Sequence, residues 1–349
     1  MDLLAVSELE STYANSKEKT LFDRWITYTD IAPLFSKLSS IYQVSLLGTS
    51  ENNTPIRKIQ FGTGKKKILI WSQMHGNEST GTKAVFDLLN YIEKHKNDKT
   101  IQKILKNCTL VVVPMLNPDG ALAYTRVNAN GIDLNRDAVH QQAKESKLLR
   151  SVLDKFNPHF CFNLHDQRTI FGVEGTKKPA TISFLAPSEE ETRKITSGRK
   201  ETMNVIIAMN NLLQQIIPNS VGRYTDEFYP TATGDNFQKL GHNTVLIEAG
   251  HYHEDYSREI VRKLNFYALL QGIFHVANED DYKEYKPYFE IPNNQKNFFD
   301  VIHRNKKTGI DTSYQFKNKI VNGMFTSVLE QEKKGDLSMF LAHKEIFKK

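Results

Sequence analysis

The sequence predicts an α/β protein: a mixed, mostly parallel central sheet with helices on both faces, followed by a small β-rich C-terminal appendage. Three observations carry that expectation. Four short, continuous apolar runs, at residues 67–72, 109–114, 160–164 and 244–247, have the length and composition of strands buried on both faces. Amphipathic stretches alternate with these runs, as they do where helices cross over a parallel sheet. After about Tyr282 the pattern changes to short alternating runs with Gly309, Gly323 and Gly335 between or after them. The expected division is a main domain over 1–285 and an appendage over 286–349.

Residues 1–43 read as helical and polar, with Leu34, Leu38 and Ile41 at helical spacing. Runs at 44–47 and 56–61 flank Glu51-Asn52-Asn53, so they predict a hairpin. The strand over 67–72 leads through a tight turn into a helix over 80–94, whose Val85, Leu88, Leu89 and Ile92 form one apolar stripe. The strand over 109–114 runs into Asn117-Pro118-Asp119-Gly120, a strong turn signal. A long loop and a short helix over 146–156 come next. The strand over 160–164 ends at His165. A long helix over 196–217 is stopped by Pro218, and the strand over 244–247 ends at Glu248. Ser257 is the expected N-cap of a helix reaching about Ala277. Pro287, Pro292, Asn293 and Asn294 suggest a linker to the appendage, for which the residues give no function.

Hydrophobic residues make up 39% and charged residues 25% of the 349, the composition of a globular chain with enough length for a large core. The net charge of +6 is scattered. Its one dense run, Lys65-Lys66-Lys67, abuts a strand and reads as a solvated strand end, so neither a nucleic-acid nor a membrane partner is expected. The two cysteines, Cys108 and Cys161, start apolar runs and read as small buried hydrophobes. The first residues lack the basic and apolar segments of a secretory signal, and no apolar run approaches a membrane span. The expected location is cytoplasmic.

Three strands thus end at or near a side chain that can bind metal or carry a proton: His75, His165 and Glu248. In open α/β sheets the carboxyl edge is where ligands bind. The set His75-Gly76-Asn77-Glu78, Asn117-Pro118-Asp119-Gly120, Arg126 with Asp133-Leu134-Asn135-Arg136, Leu164-His165, and Glu248 within Leu246-Ile247-Glu248-Ala249-Gly250 resembles the M14 zinc metallocarboxypeptidases in both order and spacing. The resemblance covers roughly residues 45–277.

The chemistry of the residues agrees with what the resemblance implies. Two imidazoles and one carboxylate, from His75, His165 and Glu78, suit one catalytic zinc ion. By resemblance, Glu248 is the general base and Arg126 stabilises the developing oxyanion. Asn135 and Arg136 grip the substrate's terminal carboxylate, a task that suits a guanidinium fork. Asp133 orients the first zinc histidine. Tyr229 resembles the family's mobile tyrosine, with Tyr224 its rival. The implied substrate is a peptide or acyl-amino acid with a free carboxylate.

There are departures. Asn77 stands where digestive-type members carry arginine. The short His-Gly-Asn-Glu form also resembles the aspartoacylase and succinylglutamate desuccinylase branch, so one alternative is an amidohydrolase acting on murein peptides or N-acyl amino acids. Another is a catalytically inactive carboxylate-binding module. Asp235 either attracts a basic group on the substrate or caps a turn. His140, His159, His242, His251 and His253 have no evident partner ligand. His251 and His253 follow Glu248 closely enough to line the rim of a site there.

Overall fold

The computed structural model describes residues 1–348. Helix α1 (Val6–Ser16) and helix α2 (Tyr28–Phe35) open the chain, with turns and irregular segments between and after them, so Leu38 and Ile41 lie beyond the expected helix. Thr27 starts α2 through a reciprocal capping box with Asp30. Strands β1 (Gln43–Thr49) and β2 (Pro55–Phe61) form the expected hairpin. Strand β3 (Lys66–Ser72), helices α3 (Thr80–Lys94) and α4 (Lys99–Asn107), and strand β4 (Cys108–Val113) follow.

The Asn-Pro-Asp-Gly segment is not merely a turn. It begins a short helix, α5 (Pro118–Ala123), with the Asn117 side chain accepting the Gly120 N–H at 2.9 Å and proline at the first helical position. Helix α6 (Lys144–Phe156) and strands β5 (Phe160–Asp166), β6 (Phe171–Val173) and β7 (Ile182–Leu185) come next. Helix α7 (Ser197–Gln214), strand β8 (Val221–Arg223), helix α8 (Thr233–Lys239), strand β9 (Asn243–Ala249) and helix α9 (Glu259–Asn278) complete the main unit. The cap of α9 differs from the Ser257 expectation. Arg258 is its N-cap residue, in the left-handed region at φ 57°, and the Asp255 carboxylate accepts the N–H groups of Glu259, Ile260 and Val261.

The eight strands of the main sheet run β1-β2-β4-β3-β5-β9-β7-β8. Its centre, β4-β3-β5-β9, is parallel, and antiparallel pairs flank it. Side chains alternate across the sheet. Ile68 and Ile70 of β3, with Leu110 and Val112 of β4, face a core built with α3, α7 and α9. Leu69, Trp71, Val111 and Val113 face the opposite side, against Leu149, Val152 and Leu153 of α6 and Phe237 of α8. Burial on both faces explains why these strands read as unbroken apolar runs. Cys108 and Cys161 are buried and unpaired, as expected.

Strand β10 (Asn294–Lys296) pairs with β6 of the main unit. Strands β11 (Phe298–Asn305), β12 (Asp311–Val321), β13 (Met324–Gly335) and β14 (Leu341–Lys348) form a separate sheet in the order β13-β12-β11-β14. That sheet packs on the loop leaving β5. The Phe298 N–H donates to the Ile170 carbonyl at 3.1 Å, Gln315 Nε2 to Thr169 Oγ1 at 2.6 Å, and His343 Nε2 to the Thr169 carbonyl at 2.8 Å. Among the described residues no helix is long and apolar enough to cross a membrane.

Candidate active site

The site lies at the carboxyl ends of β3, β5 and β9. After β3 the backbone reverses at Gln73, whose φ is +51°. The Gln73 side chain donates to the carbonyls of Ile26 and Gly76, both at 2.8 Å, and Asn117 Nδ2 donates to the Met74 carbonyl at 3.1 Å. Gly76 is required here, because a Cβ on it would lie 1.9 Å from the carbonyl carbon of Gly120. The turn therefore packs backbone against backbone on α5 and aims His75 and Glu78 at one point.

His165 and Glu248 need no such device. They are register partners on the adjacent parallel strands β5 and β9.

The donor atoms of His75, Glu78 and His165 converge. His75 Nδ1 and His165 Nδ1 are 3.2 Å apart, and each lies 2.9 Å from an oxygen of Glu78. Two nitrogens on a tetrahedral zinc, each bonded at about 2.0–2.1 Å, stand roughly 3.3 Å apart. The donor set, its spacing and its near-complete burial fit such an ion. On the far edge of its ring, His75 Nε2 lies 3.1 Å from Asp133 Oδ1, so the carboxylate favours the tautomer that leaves Nδ1 free to ligate. Burial alone would raise the Asp133 carboxyl. Its bonds to His75 and Arg126 outweigh that and hold it well below the usual carboxylate range.

Arg126 spans the same corner. Its Nε donates to Asp133 at 2.9 Å, and its Nη1 is 3.5 Å from Glu78. Glu248 is pushed well above the usual carboxylate range, first by burial and then by the charges of Glu78 and Asp166. A carboxylate with its affinity for a proton raised in this way is suited to accept one.

A cavity of about 470 Å³ runs from these groups to Asn135, Arg136 and Tyr229. Asn135 and Arg136 sit on a 3-10 turn (Leu134–Arg136), and Asn135 Oδ1 accepts the Thr233 N–H at 3.1 Å, tying the turn to the start of α8. Arg136 is exposed to the cavity, its guanidinium 5.6 Å from the centre of the Tyr229 ring. Tyr229 is 45% exposed and its hydroxyl donates to Glu227 at 3.1 Å. Tyr224 is held more firmly, with its backbone N–H on the Phe184 carbonyl and its ring against Phe171. Asp235 lines the cavity and also accepts the Tyr229 N–H at 3.2 Å, so it braces the tyrosine loop as well as facing the cavity.

The chain belongs to the zinc carboxypeptidase family. The family's model matches residues 28–299. The chain is 34% identical over 183 residues to carboxypeptidase SOL1 of Arabidopsis thaliana, covering 47% of this chain and 37% of that one. It is 30% identical over 103 residues to carboxypeptidase 2 of Trichophyton rubrum, covering 29% of this chain and 19% of the relative. The chain thus spans about a fifth of the length of such fungal relatives. The fold is similar to that of thrombin activatable fibrinolysis inhibitor, with TM-score 0.59, 14% identity and coverage of 78% and 81% of the two chains. It is also similar to carboxypeptidase A of Helicoverpa armigera, with TM-score 0.58, 14% identity and coverage of 79% and 81%. Both likenesses are of fold: a central mixed sheet with helices on both faces.

Other residues lining this zinc-carboxypeptidase cavity escaped sequence reading. Asp166, Gln167 and Arg168 follow directly on His165, and Lys296 reaches the cavity from β10. Their nearness to His165 was the one available signal for the first three. His251 does not line this cavity. It is buried behind it, its ring centre 4.0 Å from that of His343 in β14. His159 and His242 serve the backbone, at the Lys67 N–H and the Pro158 carbonyl.

Proposed function

We propose that the protein is a single-zinc exopeptidase that hydrolyses the last peptide bond of a substrate with a free carboxyl end. The observation that carries this reading is one cavity with two chemically different ends. At one end lie the converging donors of His75, Glu78 and His165, beside Glu248. At the other lies the Asn135–Arg136 pair.

His75, Glu78 and His165 would hold the zinc, which when bound polarises the scissile carbonyl and makes water more acidic. The roles of this chain's own residues follow from their chemistry. Arg136 meets the terminal carboxylate with a planar pair of N–H donors, and Asn135 lies beside it. That grip fixes which bond reaches Glu248. As water attacks the carbonyl carbon, Glu248 takes a proton from it, and the Arg126 guanidinium donates to the oxygen that becomes negative. The C–N bond then breaks, and Glu248 returns the proton to the departing amine. Tyr229 closes over the terminal residue and excludes water. Its exposed position next to Arg136 favours it over Tyr224 for that part.

The test is incubation of the zinc-loaded protein with paired peptides, free-acid and amidated, followed by mass spectrometry. Loss of single residues from the free-acid member alone is expected. Equal cleavage of both members would overturn the exopeptidase reading and favour an amidohydrolase. Cleavage of neither would favour an inactive binding module. Arg136→Ala should raise KM by at least about tenfold, with a smaller effect on kcat, because it removes a charge-assisted contact to the substrate.

A further inference from the structure

The first cavity does not end at the metal ligands. Beyond Glu78 and Arg126 a second chamber of about 340 Å³ opens, and Asp166, Gln167 and Arg168 line both spaces. Its opposite wall is the C-terminal sheet, through Gln315, Phe316, Lys317 and Asn318 of β12. That wall is fixed in place. Gln315 is bonded to Thr169, and the Phe316 N–H donates to the buried Asp300 carboxylate at 2.8 Å. Farther along the hairpin, Phe325 of β13 packs edge-on to Tyr124 at 5.1 Å. The appendage therefore forms one wall of the second chamber.

If the terminal residue occupies the first cavity, the residues before the scissile bond leave past Arg126 and enter the second chamber. Several cations line it, and most are already engaged. Arg258 is paired with Asp166 at 3.2 Å, Arg126 with Asp133, and Lys317 with Glu332. Arg24 also makes no ion pair among the described residues, but it is only partly exposed and borders the second chamber alone; Arg168 is exposed, borders both chambers and makes no ion pair among the described residues. The carboxylates on the walls, Glu78, Asp166 and Asp300, are buried; Glu78 faces His75 and His165, and Asp166 and Asp300 each engage one oxygen, with Thr80 and with the Phe316 N–H.

We propose that this chamber selects a carboxylate on the residue one or two places before the scissile bond, with Arg168 as the contact. The proposal rests on the exopeptidase reading and deepens it to a substrate class, peptides acidic just upstream of the bond cut. An Arg–carboxylate contact at a site open to solvent is worth up to about 1 kcal/mol, a factor of about five.

The experiment compares free-acid peptides carrying Glu or Gln at each of those two positions, with the zinc-loaded full chain. The expected result is a kcat/KM three- to fivefold higher for the Glu peptide at one position, shrinking as salt rises. Arg168→Gln should bring that ratio to about one. A ratio near one in the parent, or a ratio unchanged by Arg168→Gln, overturns the proposal while leaving the exopeptidase reading intact. Failure to cleave any free-acid peptide overturns both.

Discussion

Glu248 and Asp235 are two carboxylates on one cavity whose surroundings set different tasks. Glu248 adjoins Glu78 and Asp166, and its raised proton affinity suits the general base we propose it to be. Glu248→Gln should keep its place between β5 and β7 and leave zinc binding intact, while turnover falls by at least about a thousandfold, the upper part of what general acid–base catalysis contributes. Zinc content by elemental analysis and kcat on a free-acid peptide check both halves. A variant within tenfold of the parent would remove Glu248 from the mechanism. Asp235 is pushed up to about 6, chiefly by burial, with the Tyr229 N–H pulling the other way. A carboxyl that holds its proton more tightly folded than unfolded favours the native state at low pH. That contribution is complete below about 4 and is lost as pH rises through about 6. Asp235→Asn cannot titrate, so the difference in Tm between parent and variant should shift in the variant's favour from pH 4 to pH 7. A constant difference would contradict the assignment.

At the level of the elements, α9 is the strut behind the sheet. It is tied to α3 by Arg262 and Asp87, both without solvent contact, through two bonds of 2.6 and 2.7 Å. Arg262 also donates to the carbonyls of Glu18 and Leu21, which draws the N-terminal segment onto the same pair. Asp87→Ala would leave the buried guanidinium with Glu259, 3.2 Å away, as its remaining counter-charge, a loss of about 3 kcal/mol. Urea unfolding should show it as a lower midpoint, and a shift of under 1 kcal/mol would mean that Glu259 and the carbonyls satisfy Arg262. The sequence revealed the strong elements and missed the weak ones for a physical reason. Strands β3, β4, β5 and β9 are covered on both faces and read as apolar blocks. Strands β6, β7 and β8 have only three or four residues each, too few for a period to register. The metal-ligand candidates were legible because each sits at or just past the end of a strong strand. Arg168 was not, because nothing local distinguishes it from any other arginine on a loop.

For the whole molecule, the junction between the main unit and the C-terminal sheet carries its own pH dependence. His251 is buried there with neither ring nitrogen bonded, against His343 and Tyr256. Burial, then the nearby charges of His343 and Arg258, push it down to about 2. The unfolded chain therefore takes up a proton near pH 6.5 that the native state refuses, and stability present above that pH drains away as pH falls below it. Arg24 and His253 act in the same direction. His251→Phe should flatten the fall in Tm between pH 7 and pH 4, and a slope equal to the parent's would locate the acid sensitivity elsewhere. The reaction centre depends on a sturdier feature. His165 and Glu248 face each other across one parallel strand pair, so their separation is the interstrand repeat of about 4.8 Å. That interval is a property of the peptide backbone, maintained by every rung of the ladder below it. Loops around the cavity can be exchanged, lengthened or reshaped by mutation, and the spacing between His165 and Glu248 would stay the same.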